Sequence, residues 1–184
     1  MLNIRNHKLS TLVACLLMAS TMQSFAGNKL EILADIQSIG ECDIEVTPSN
    51  IEMTRRPVVG DFRLNDAVDI TPIKLSYQCR DYETTVMPEV MVTGDVSNDP
   101  NLFLTENPAG AKGVGFMLKN GEVSELVGFY SKGKTLKNNE SFYLPAGSTK
   151  GSLPMTIGFV RQADNSTVTA GSAKASILLT VVMP

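Results

Sequence analysis

The last residues of the chain, 171–184, alternate between apolar and polar side chains with a period of two. A strict alternation of this kind is typical of a β-strand that buries one face and exposes the other. The sequence therefore predicts a long, half-buried strand at this end of the chain. The apolar side of that strand consists of Ala173, Ala175, Ile177, Leu179, Val181 and Met183.

A second stretch with the same period lies near the start of the chain. Leu30, Ile32, Ala34 and Ile36 alternate with polar residues, and the stretch precedes any turn signal that would place it within a sheet. One alternative is an ordinary first strand that pairs inside its own domain. The hypothesis that we favour is a spare strand offered to a neighbour, which indicates a self-assembling subunit and not an enzyme.

Residues 1–26 have the pattern of a secretion signal. Arg5 and Lys8 precede an apolar run from Thr11 to Ala19, and Ser24-Phe25-Ala26 is a small-x-small cleavage site. A membrane anchor is the alternative, but it requires roughly 20 apolar residues and this run is much shorter. Lipidation at Cys15 is a second alternative. Cleavage after Ala26 is predicted.

Removal of this signal changes the chemistry that the chain can support. The net charge falls from −3 to −5 with the loss of Arg5 and Lys8, which argues against a nucleic-acid surface. The single histidine, His7, is also lost, and with it the Ser-His-Asp arrangement and the usual zinc sites. We expect no catalytic residues, no metal and no cofactor.

Two cysteines remain after this removal, Cys42 and Cys79. A pair of cysteines in an exported chain favours a disulfide over two free thiols, although free thiols are the alternative. Asp95, Asn98 and Asp99 suggest calcium, yet their spacing is not that of a binding loop. A hydrophilic turn is the preferred interpretation of these three residues.

Turn signals recur every eight to twelve residues between short runs of β-forming residues. The clearest of these runs places Ile73, Leu75, Tyr77 and Cys79 on one face, and no long segment has the period of a helix. Regular short strands of this kind predict an all-β sandwich in a single domain, residues 40–184. The other predicted runs include 90–92, 114–118, 140–144 and 155–160.

Three motifs occur in a characteristic order within this domain: Pro72 to Cys79, Gly113 to Leu118, and Val168 to Gly171. Together with the early alternating segment that precedes Cys42, they resemble the pilin subunits of chaperone–usher fimbriae, the type 1 and P pilus family. The resemblance covers the whole chain after the signal. It implies an incomplete immunoglobulin-like sandwich that lacks its seventh strand and is completed by a strand from a neighbouring subunit or a chaperone.

The resemblance also implies roles for both alternating segments. Residues 27–39 would be the donor-strand extension, with Leu30, Ile32, Ala34 and Ile36 as its inserted side chains. In the family, donor-strand complementation adds a strand to an exposed sheet edge. This mode of binding is called β-augmentation. The implied acceptor groove and chaperone-binding strand comprises Gly171, Ala173, Ala175, Ile177, Leu179, Val181, Met183 and Pro184.

The implied partners are a periplasmic pilus chaperone, an outer-membrane usher, neighbouring pilin subunits and a host receptor, with no nucleic acid. The implied location is the cell-surface fimbrium, reached through the periplasm. Two residues depart from the family pattern: Ala34 stands where donor strands usually carry Gly, and Met183 where a penultimate Tyr is usual. A minor or adaptor subunit is the expected role, with a single-domain tip adhesin or invasin and an assembly terminator as alternatives.

Overall fold

The structure, a computed structural model, describes residues 40–81, 87–164 and 166–183. Within these ranges the chain forms two antiparallel sheets and two short 3-10 helices, Val59–Asp61 and Phe129–Ser131. None of the described residues forms a helix long and apolar enough to cross a membrane. The strands are β1 (Glu41–Thr47), β2 (Ala67–Arg80), β3 (Glu89–Gly94), β4 (Val114–Asn120), β5 (Lys134–Leu136), β6 (Glu140–Tyr143), β7 (Lys150–Arg161) and β8 (Ile177–Val182).

The larger sheet has the order β1-β2-β7-β4-β5, and the smaller sheet has the order β6-β3-β8. Their inner faces form the main core. Leu75 from β2 and Met155 from β7 meet Val90 and Val92 from β3, and all four side chains are fully buried. Each aliphatic side chain buried in this way contributes about 1.5–3 kcal/mol. The all-β sandwich predicted from the sequence is confirmed.

The predicted faces of the individual strands agree with the structure. Ile73, Leu75, Tyr77 and Cys79 are all buried, and the intervening residues of β2 are exposed or half-buried. Two glycines at the start of the Gly113 to Leu118 motif allow a turn and a close contact that other residues would not. A Cβ atom on Gly115 would lie 2.8 Å from Cβ of Leu102, and Gly113 adopts φ +68°, a left-handed conformation that favours glycine.

A second, smaller core lies on the outer face of the larger sheet. The connection between β4 and β5 crosses this face and buries Phe129 against Met117 and Val160. Lys119 is also completely buried here. Its Nζ donates hydrogen bonds to the carbonyl oxygen of Tyr130 at 2.9 Å and to Oγ1 of Thr135 at 2.8 Å, and it lies 5.3 Å from the centre of the Phe129 ring.

Burial lowers the pKa of Lys119 from 10.5 to about 8. Between these two values the unfolded chain binds more protons than the folded chain, so the free energy of unfolding increases with pH in this window. We expect a gain of about 2 kcal/mol between pH 7 and pH 9.5. The Lys119→Met variant, which keeps the apolar stem, should lack this gain. Urea denaturation at both pH values measures it, and identical pH profiles for the two proteins would contradict the assignment.

Candidate functional site

The candidate site lies where the two sheets present edge strands on the same side of the sandwich. Among the described strands, β1 pairs only with β2, and β8 pairs only with β3. Cα atoms of β1 and β8 come within 8 Å of each other, yet the two strands belong to different sheets and share no ladder. We call the region between these two edges the acceptor groove.

The β8 side of the acceptor groove shows how far the core is open. The odd-numbered residues from Ala173 to Met183 are half-buried, and the even-numbered residues between them are exposed. Those from Ala175 to Val181 pack on the main core, whereas Ala173, which was predicted to line the groove, packs on a separate cluster that contains Phe159. Val90 and Val92, the neighbouring residues on β3, are fully buried. Because Val90 faces Val181 and Val92 faces Leu179 across the ladder, burial of the core decreases towards the β8 edge.

The β1 side has the same alternation. Cys42, Ile44 and Val46 are half-buried and pack against the main core, and Ile51 extends this apolar row beyond the end of the strand. The intervening residues of β1 are exposed. Two apolar rows, one from each sheet, therefore line the acceptor groove.

The charged residues of this region lie on the outer face of β1 and not in the acceptor groove. The Arg80 guanidinium contacts the carboxylate of Asp43 at 2.9 Å and that of Glu41 at 3.5 Å, with all three side chains more than half exposed. Exposed ion pairs contribute little to stability. Charged side chains on an edge strand nevertheless hinder uncontrolled pairing with other chains.

The structure corrects the predicted bounds of the last strand. Within the described part of the predicted strand 171–184, β8 covers 177–182, and it begins at Ile177 because β3 ends at Gly94, its partner in the ladder. The preceding residues contact another segment instead: the backbone N–H of Thr105 donates to the carbonyl oxygen of Lys174 at 2.7 Å, and that of Ala111 to Ser172 at 2.9 Å.

Gly171 does not belong to the half-buried face that the alternation predicted. It is exposed. A Cβ atom at this position would lie 2.4 Å from the backbone nitrogen of Ala111, so the close approach of two backbones explains the glycine.

The predicted disulfide is present and lies beside the acceptor groove. Cys42 and Cys79 face each other directly in the ladder of β1 and β2, with their Cα atoms 4.0 Å apart. Because β1 is an edge strand held in the sheet from one side, the bond ties one wall of the acceptor groove to the interior strand β2.

The other predicted site residues have different outcomes. Leu30, Ile32, Ala34, Ile36 and Pro184 lie outside the described residues. Asp99 forms a polar turn, as its carboxylate accepts hydrogen bonds from the backbone and side-chain nitrogens of Asn101 and from the backbone nitrogen of Ala163. Within the described ranges, no three His, Cys, Asp or Glu side chains are grouped so that they could hold a metal ion.

The β1 wall was not predicted as part of the site. The signal for it was the alternation of Cys42, Ile44 and Val46 with the acidic residues Glu41, Asp43 and Glu45. This is the same period of two that identified β8. Its pairing with β2 and its position opposite β8 depend on the tertiary structure and could not be inferred from the pattern alone.

Comparisons with known proteins define the fold. No protein-family model and no curated protein matches the chain. The antigen and type I fimbria protein BPSL1626 of Burkholderia pseudomallei aligns over 78% of this chain and 99% of its own, with 16% identity and a TM-score of 0.50. The P pilus rod subunit PapA aligns over 86% of this chain and 99% of its own, with 11% identity and a TM-score of 0.47.

The CupB6 tip adhesin of Pseudomonas aeruginosa aligns over 66% of this chain, with 20% identity and a TM-score of 0.48. This chain spans only 32% of that adhesin's length. The resemblance to fimbrial pilins that the sequence motifs indicated is thus confirmed at the level of the fold, on the similarity to the Burkholderia protein. The chain therefore shares the fold of the Burkholderia type I fimbria protein.

Proposed function

We propose that this protein is a structural subunit of a chaperone–usher fimbria and that it assembles by donor-strand exchange. The observation that carries the proposal is the open edge of β8, whose inward side chains are half-buried beside the fully buried Val90 and Val92 of β3. An unpaired apolar edge favours pairing with another chain, which folded proteins normally prevent. An added strand would pair with this edge and cover both apolar walls.

The donor in this scheme is the segment 27–39 of a neighbouring subunit. Its alternating Leu30, Ile32 and Ile36 match the period of the acceptor groove. Before assembly, a periplasmic chaperone would supply the missing strand, and an outer-membrane usher would organise the exchange. The assembled subunit would lie in a fimbrium at the cell surface and support adhesion.

Within that fimbrium we assign the chain to a minor or adaptor position. Ala34 in the donor segment adds a methyl group where the family usually has glycine, which changes the set of grooves that accept it. A chain that provides a donor strand is also unsuited to the outermost tip position, because no subunit lies beyond it.

Deletion of 27–39 tests the proposed division into donor and acceptor. We expect the truncated protein to fold when the chaperone is present, and to be stabilised by a synthetic peptide of residues 27–39 as strongly as the full chain is. The truncated protein should not stabilise a second copy of this chain, because it has no strand to donate. Thermal melting and native electrophoresis of mixed proteins measure both properties.

Two outcomes of this deletion would contradict the proposal. Failure of the truncated protein to fold with the chaperone would assign residues 27–39 to an internal strand. Fibres formed at the yield of the full chain would show that the segment is dispensable. A peptide with Ile32 and Ile36 replaced by Asp is the matched control, and it should have no stabilising effect.

A further inference from the structure

The outer face of the smaller sheet has an apolar composition that the core does not explain. Val90 and Val92 are fully buried and Leu179 packs on the main core, so these residues define the inward side of the sheet. Successive side chains of a strand point to opposite faces, and the residues between them therefore point outward. The outward set consists of Glu89, Met91 and Thr93 from β3, Ser141 and Tyr143 from β6, and Leu178, Thr180 and Val182 from β8.

The apolar members of this set lie on adjacent strands. Tyr143 and Val182 flank the same residue of β3, and Met91 lies in the next outward row. The side chain of Tyr143 is 59% exposed, that of Leu178 62% and that of Val182 38%. None of the apolar clusters that the described residues form includes any of these four side chains. We call Met91, Tyr143, Leu178 and Val182 the outer patch.

The larger sheet shows that a sandwich of this kind does not require such a patch. The outward residues of its strands β1, β2 and β7 include Asp43, Glu45, Lys74, Gln78 and Lys150, and all five are exposed. A sheet face in contact with water is normally polar in this way. Among the eight outward residues of the smaller sheet only Glu89 is charged. A patch that combines Tyr and Met with few charges is typical of the centre of a protein interface.

A donor strand would extend the outer patch. Such a strand would pair with the free edge of β8, and the residues between its inserted side chains would share the outer face with Leu178 and Val182. The polar side of the segment 27–39 has one exception, Leu33. Because Leu33 is the central residue of 30–36, it would lie beside the middle of β8 whichever way the donor strand runs. The outer patch would thus be complete only in an assembled subunit.

We infer that the outer patch is an interface between two copies of this chain that lie side by side, each completed by a donor strand. This inference rests on the proposed function. The net charge of −5 after removal of the signal makes two copies repel each other, and the nearly uncharged outer patch is a face where their approach is least opposed. None of the eight outward residues is basic, so an anionic lipid surface is a poorer partner.

Sheet geometry allows this contact. Two sheet faces pack about 10 Å apart with their strands at about −30°, and a two-fold axis places the same patch on both sides. Three strands of about six residues cover roughly 300 Å² in projection, and a fourth raises this to roughly 400 Å². Two such faces remain below the total of about 1,200 Å² that stable interfaces bury. The contact should therefore be weak and reversible, and sensitive to the loss of a single apolar side chain.

A change at Leu33 in the donor peptide separates the outer patch from the acceptor groove. When the peptide of residues 27–39 saturates the acceptor groove of the full chain, we expect concentration-dependent self-association in sedimentation equilibrium. The Leu33→Ser peptide should bind within twofold of the parent affinity, yet the protein that it completes should self-associate at least fivefold more weakly. A Gln37→Ser peptide, changed at another position on the polar side, is the matched control and should alter neither value.

Substitutions in the chain test the same interface from the other side. Tyr143 and Leu178 are exposed, so Tyr143→Ser and Leu178→Ser should leave the fold intact. With the parent peptide bound, each variant should self-associate at least fivefold more weakly, and its peptide affinity should change less than twofold. Gln78→Ser, on the outer face of the larger sheet, is the matched control and should change neither property.

The outcomes separate this inference from the proposed function. Peptide binding without self-association at the highest attainable protein concentration would overturn the pairing alone. Self-association that is unchanged by the Leu33→Ser peptide and by both chain variants would also overturn it. Binding of the completed protein to phosphatidylcholine vesicles in place of a second copy would assign the outer patch to a lipid surface and refute the pairing. A parent protein that ignores the peptide would instead refute donor-strand exchange itself, and this inference with it.

Discussion

Leu179→Asp should remove most of the stabilisation of this protein by a donor-strand peptide. In the free protein Leu179 is half-buried, so an aspartate there can remain partly hydrated and should destabilise the domain only moderately. A peptide strand that covers the acceptor groove would remove that water and leave an unpaired charge in apolar surroundings, which costs several kcal/mol. We expect peptide affinity to fall at least 100-fold.

The effect can be measured as a change in melting temperature. At a peptide concentration 1,000 times Kd, binding to the native state alone adds about 4 kcal/mol, and a 100-fold weaker peptide at the same concentration adds only about 1.4 kcal/mol. For a domain of this size the difference corresponds to a shift of about 8 °C. Ile177→Asp, on the same face, should reduce the peptide affinity and the shift in melting temperature to a similar extent.

Leu178→Asp is the matched control for this experiment. Leu178 is adjacent on β8, is 62% exposed and faces away from the core, so the same substitution introduces the same loss of β-propensity without burying a charge. Thr180→Asp is a second control on that face. Equal losses in Leu178→Asp and Leu179→Asp would show that the peptide does not contact the inward row. A parent that is indifferent to the peptide would show that the sandwich is already complete.

The inward and outward faces of β8 were predictable because alternation is a local property of a strand. The sequence placed Leu179 inside and Thr180 outside, and their burial in the structure agrees. The start of the strand was not predictable, because it is set by the end of β3 at Gly94, which lies far away in the sequence. A pattern of side chains identifies a face, but it does not identify the neighbouring strand.

The burial of Lys119 could not be predicted from the local sequence either. The predicted run ended at Leu118, because Lys119, Asn120 and Gly121 have the composition of a turn. The structure continues β4 to Asn120 and buries Lys119, whose hydrogen bonds are accepted by Tyr130 in the connection that follows and by Thr135 in β5. Those partners lie 11 and 16 residues further on, and no local pattern connects them to the lysine.

Contacts between loops were beyond prediction for a related reason. Asp99 was recognisable as part of a hydrophilic turn, but its carboxylate also accepts a hydrogen bond from the backbone nitrogen of Ala163, which is distant in the sequence, and that contact depends on the fold. Surfaces made by loops therefore require the structure, whereas strand faces do not.

Loss of the Cys42–Cys79 bond should destabilise the domain strongly. The bond closes a loop with a sequence separation of 37 residues, and constraining such a loop in the unfolded chain is worth about 4 kcal/mol in the chain-entropy model. We expect the reduced parent protein to melt about 12 °C below the oxidised protein. Cys42→Ala/Cys79→Ala should melt lower still, because it also removes two sulfur atoms that pack on the main core.

Because Cys42 lies in the β1 wall, both changes should also weaken peptide binding. A cross-link remote from the acceptor groove would have no such effect on the peptide. Thermal melting with and without reductant measures the first effect, and the double-alanine variant, which reductant should not affect, is the control. A reduced parent that melts within about 2 °C of the oxidised one would show that β1 is held by its ladder with β2 alone.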